Sequence, residues 1–146
     1  MKTIFLLLLT LSLSLFADAV YTKTYNAPIA KIMALFDYTH LIVVSKIDIL
    51  AKFKAAGLPQ KFGKNFNTNK LSGIKAIIAC NGWFGNEVAN ADPKMMAFCP
   101  VRVTLIERDA KTTVTYVRAT VAAKGSKAYS TLERLETKVI KAIERL

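Results

Sequence analysis

Histidine, cysteine and acidic residues are scarce in this 146-residue chain, which holds one His, two Cys and ten Asp plus Glu against 21 Lys plus Arg. Two cysteines are too few for a disulfide scaffold. Six Gly and four Pro exclude collagen-like and Pro/Gly-rich low-complexity chains. Intrinsic disorder is excluded by the 53% hydrophobic content. What remains is a globular protein of one domain, since domains run about 100–200 residues.

The N-terminus has its own character. Lys2 is followed by an apolar and hydroxyl run from Ile4 to Phe16, and then by Ala17-Asp18-Ala19. A basic start, a short apolar stretch and an A-x-A ending form the signal-peptide pattern. A membrane-spanning helix needs about 20 apolar residues. This run is shorter, and Asp18 and Lys23 follow it. Residues 1–19 are therefore expected to be a signal peptide cleaved before Val20, sending a bacterial product to the periplasm or the medium. No later run reaches spanning length, so stable membrane insertion is not expected after cleavage. The net charge stays at +11, because cleavage removes one lysine and one aspartate.

Residues 20–146 read as a single unit. Val20–Asn26 alternates as a strand, and Asn26-Ala27-Pro28 supplies a cap and a first-turn proline for a helix over 28–38. Leu41–Val44 is β-branched and short, and is expected to be a buried strand. A second helix is expected to close at Gly57-Leu58-Pro59. Residues 59–73, rich in Lys, Asn and Gly, read as a loop. Ile74–Cys80 is the next strand, and a helical or irregular stretch from Glu87 to Phe98 follows. Val101–Arg108 and Thr112–Ala119 form a hairpin across Asp109-Ala110-Lys111. Leu132, Leu135, Val139, Ala142, Ile143 and Leu146 recur at helical spacing and define a long amphipathic C-terminal helix. The fold class expected is α+β, a mainly antiparallel sheet with helices packed on one face.

Three segments together resemble the domain of unknown function 302 family: Ile77–Gly82, Ala91–Val103 with its Asp92-Pro93 and Cys99-Pro100, and the hairpin strands Thr104–Ala119. The resemblance runs from about Tyr21 to Tyr116, with the helix at 128–146 matching longer members. It implies a small α+β domain that pairs as a homodimer, and it supplies no enzyme activity. Many members carry an Asp-His pair at the end of the second strand, where this chain reads Ile47-Asp48-Ile49.

The chemical candidates are few. His40 has no Cys, Asp or Glu at metal-ligand spacing, and C-x-x-C-H is absent. It reads as a loop histidine, with a haem or metal ligand as the other reading. No metal site is expected, and carboxylates in a catalytic arrangement are not evident. Cys80 and Cys99 end one strand and precede another, which is compatible with a disulfide, with two buried thiols or with redox chemistry. Asn81-Gly82-Trp83-Phe84-Gly85-Asn86 sets two aromatics between glycines, in what reads as a loop. Trp83 and Phe84, with Met95, Met96 and Phe98, are the candidate ligand or interface surface. Between Lys46 and Lys75 stand seven lysines and one acid, with Phe53, Phe62 and Phe66 among them. Such a segment attracts anionic partners or serves as a solvated face. Nucleic acid is not expected, since no binding motif is present.

These features predict an exported, non-enzymatic domain that binds a small apolar ligand or a partner protein as a homodimer. The other reading is a periplasmic haem-binding or thiol redox protein using His40 or Cys80/Cys99.

Overall fold

The computed structural model describes residues 19–146, so the expected signal peptide lies, apart from Ala19, outside the described residues. The fold is α+β. Five antiparallel strands stand in the order β1-β5-β4-β3-β2. They are β1 (Val20–Tyr25), β2 (Val43–Asp48), β3 (Gly73–Ala79), β4 (Val101–Arg108) and β5 (Lys111–Val117). The helices are α1 (Ile29–Leu35), α2 (Ile49–Ala55), α3 (Leu58–Phe62), α4 (Gly82–Ala91), α5 (Ala119–Ala122) and the long α6 (Tyr129–Glu144). Among the described residues, no helix is long and apolar enough to cross a membrane.

The core lies between one sheet face and α1, α4 and α6. Strand pleating sends alternate side chains to that face, so Ile77, Val103, Leu105 and Val114 meet Ile32 and Phe36 of the α1 segment and Leu132, Val139 and Ile143 of α6. Lys111 pairs with Arg108, leaving Asp109 and Ala110 as a two-residue turn with φ of 53° and 57°. Positive φ at both positions matches the turn twist to the strand twist. At the sheet edge the Tyr25 hydroxyl donates to the Ile143 carbonyl, and Lys23 pairs with Glu144. A cation beside the last turn of α6 also complements its macrodipole.

Four expectations are corrected. The second strand begins at Val43 and runs to Asp48. It is an edge strand, with Val44 and Ile42 exposed, because a β-branched run looks the same in sequence at a sheet edge and in a core. Residues 59–73 are only partly a loop, since α3 occupies Leu58–Phe62. Gly57, in the left-handed region at φ 71°, turns the chain directly from α2 into α3. This pair covers the β2–β3 end of the reverse sheet face, where Leu50 is buried and Ile74 joins Phe53, Leu58 and Phe66 around a cavity. Asn26 is not the cap of α1: Pro28 holds that position, and the Ile29 N–H donates to Glu107 of β4. Finally, Gly82–Gly85 is not a loop but the start of α4, whose Asn81 side chain accepts from the Trp83 N–H at 2.9 Å.

Candidate functional site

Three recesses meet at Lys138, on the solvent face of α6. The first is a cavity of about 310 Å³ between α6 and the segment 35–41. Leu35, Leu41, Tyr38 and Ala142 give it apolar walls, and His40 stands on its rim with Lys138, Lys141 and Arg145. Spacings of three and four residues put those last three cations on one helix face. None of them takes part in an ion pair among the described residues. No Asp or Glu among the described residues lines the cavity.

A wider cleft of about 650 Å³ lies across Lys138 and Lys141, bounded by Trp83, Phe84 and Arg134. Phe84 is 6% exposed and Trp83 is 74% exposed, because successive residues of a helix point about 100° apart. The Trp83 Nε1–H donates to Glu87 at 2.6 Å, and Glu87 also accepts from Thr131 and Arg134 of α6. Desolvation pushes the Glu87 carboxyl up, but hydrogen bonds from Trp83, Thr131 and Arg134 and the nearby guanidinium outweigh it, leaving the pKa below the usual carboxylate value. These bonds lock α4 against α6.

Between the two recesses, a pocket of only about 30 Å³ brings together His40, Cys80, Cys99, Phe84 and Lys138. The thiols are unbonded to each other, Cys80 half-buried and Cys99 buried. Ala79 pairs with Val101, so the two cysteines flank the end of one strand ladder with their thiols neighbouring. Burial, followed by the neighbouring Cys80 sulfur, pushes the Cys99 thiol pKa up.

The structure thus gathers His40, Cys80, Cys99, Trp83 and Phe84 around one lysine. Met95, Met96 and Phe98 sit elsewhere, in a 3-10 turn over Pro93–Phe98. Met95 packs on the core, Met96 faces out, and Phe98 lines a separate cavity with Pro100, Arg102 and Val117. Among the described residues, no group of three or more His, Cys, Asp or Glu side chains is placed to hold a metal ion. Sequence reasoning missed Lys138, Lys141 and Arg145. It also missed Glu136, buried on α6, which accepts from the Thr120 N–H and from Arg118 Nε, each at 2.9 Å. An acid within the apolar stripe of an amphipathic helix was the available signal.

The family model for the domain of unknown function DUF302 matches residues 19–146, so the match extends past the hairpin to take in α6. The chain is also similar to the crystal structure of an uncharacterized conserved DUF302 protein from Bacillus stearothermophilus. The TM-score is 0.72 at 12% identity, covering 87% of this chain and 97% of that one. At that identity the likeness is one of fold. No curated protein matches. The chain belongs to the DUF302 family.

Proposed function

We propose that this domain is an exported, non-catalytic binding module whose groove along α6 takes a small amphiphilic carboxylate, with the size of a medium-chain fatty acid or an aryl acid. One observation carries the reading: among the described residues, three cations without ion-pair partners rim an apolar cavity that no carboxylate lines. The cavity's 310 Å³ falls at the small end of ligand pockets, which run about 300–1,000 Å³. Leu35, Leu41 and Ala142 accommodate the apolar body, while Lys138, Lys141 and Arg145 meet the acid group. Charge-assisted hydrogen bonds to a carboxylate are about twice as strong as neutral ones. Export is supported by the sequence pattern ending at Ala19.

Calorimetric titration with decanoate tests this. Saturable one-to-one binding is expected, with decanol, the same chain without the charge, bound at least about tenfold more weakly, equivalent to 1.4 kcal/mol. Equal affinity for the two, or no saturation by decanoate, would overturn the proposal.

The contact between Cys80 and Cys99 favours a second reading as a thiol redox protein. Against it, Cys99 is buried with its pKa raised, the opposite of an activated nucleophile. Decanoate affinity unchanged by Cys80→Ser and Cys99→Ser would separate the two readings in favour of ligand binding.

A further inference from the structure

On a part of the molecule that shares no residue with the groove, α2, α3 and the chain up to Lys75 form a cationic surface with open aromatics. Among the seven lysines of this segment, Lys46 pairs with Asp37 and Lys75 with Asp48. The other five, Lys52, Lys54, Lys61, Lys64 and Lys70, are exposed and in no ion pair among the described residues. Phe53 and Phe62 lie between them, 40% and 49% exposed, and both line an open apolar recess of about 360 Å³. The Lys61 ammonium stands 5.8 Å from the centre of the Phe62 ring.

We infer that the α2–α3 surface docks this domain peripherally on a bilayer of anionic phospholipid. Charge complementarity identifies the partner: lysines in no ion pair among the described residues meet lipid phosphates, while the two phenylalanines enter the boundary between headgroups and acyl chains. A polyanion in solution would use the lysines but would leave Phe53 and Phe62 in water. The segment has no arginine, the side chain that best reads phosphate in bidentate fashion, so the surface is built for a diffuse field of negative charge. Neither helix is long enough to insert across the membrane, with seven residues in α2 and five in α3.

Vesicle co-sedimentation of the chain from Val20, the form that the proposed export leaves, tests the inference. Binding is expected to phosphatidylcholine vesicles containing phosphatidylglycerol, to weaken with added salt and to be absent with phosphatidylcholine alone. Each lysine near an anionic surface contributes about fivefold in affinity, so Lys61→Gln with Lys64→Gln should weaken binding about 25-fold. Phe53→Ser with Phe62→Ser should also weaken it, with decanoate binding by the groove unchanged. Circular dichroism confirms that each variant is folded. Equal sedimentation with neutral vesicles would overturn the proposal. So would a loss caused by the lysine changes but not by the phenylalanine changes, which would mark a polyanion surface instead.

Discussion

The Lys138 ammonium stands 5.1 Å from the centre of the Phe84 ring, joining the solvent face of α6 to the first turn of α4. Arg134 lies over the same ring at 5.5 Å. Phe84 is therefore a piece of core that also lines the wider cleft and the small pocket, while Trp83 beside it faces solvent. Phe84→Ala should cost about 3–5 kcal/mol of stability, as buried aromatic truncations do. Trp83→Ala should cost no more than about 1 kcal/mol, chiefly the hydrogen bond to Glu87. Thermal unfolding of the two single variants checks this contrast.

Glu136 is the polar anchor between α5 and α6. Its carboxylate accepts from the Thr120 N–H, from the Thr120 hydroxyl and from Arg118. Removing it leaves the Thr120 donors buried and Arg118 without this ion pair. Arg118 is 36% exposed and so can turn to water. Glu136→Ala should then lower stability by about 3 kcal/mol, the lower end for a broken buried pair. Urea unfolding reads the loss, which Glu136→Gln should partly restore.

Stability should fall in acid, and Glu107 locates part of the fall. Its carboxylate accepts first from the Ile29 N–H and then from the Ser72 hydroxyl, which holds its pKa below the ordinary 4.5. A carboxyl depressed in the folded state contributes stability that is present above the unfolded value and lost as pH falls through the folded one. Asp48 acts in the same direction by accepting from the Ala51 N–H at the start of α2. Glu107→Gln should cost about 1 kcal/mol at neutral pH, as loss of a helix cap does, and should flatten the decline of unfolding temperature below pH 4.5.

The two thiols should differ in reactivity. Cys99 is buried with a raised pKa, whereas Cys80, beside it in the small pocket, is only half-buried. Mass spectrometry after iodoacetamide treatment of the folded protein should find Cys80 modified first. Cys99 should react only as the fold opens.

How far the fold was legible depended on periodicity. Tyr21, Lys23 and Tyr25 alternate cleanly, and Leu132, Leu135 and Val139 keep helical spacing over the many turns of α6, so both elements are evident from residue order alone. Leu58–Phe62 is too short to show a period, and its proline and neighbouring glycines resemble a loop. Gly82 and Gly85 disguised the start of α4 in the same way, although Asn81 was a legible cap. The cap on α1 was not legible, because Glu107 comes from a strand 78 residues away in sequence. The groove was hidden for the same physical reason. Lys138, Lys141 and Arg145 look like any polar helix face until tertiary packing sets Leu35 and Leu41 beside them.

Those three cations are what the binding reading stands on, so reversing two of them is the most direct test. Lys141→Glu with Arg145→Glu changes exposed side chains at the end of α6 and should leave the unfolding temperature within a few degrees of wild type, as surface substitutions cost within about 0.5 kcal/mol. Calorimetric titration of that variant with decanoate, at the same pH and salt as wild type, should show affinity reduced at least about a hundredfold, since two charge-assisted contacts of about 1.4 kcal/mol each are lost. Decanoate bound by the folded variant as tightly as by wild type would contradict the assignment of the groove.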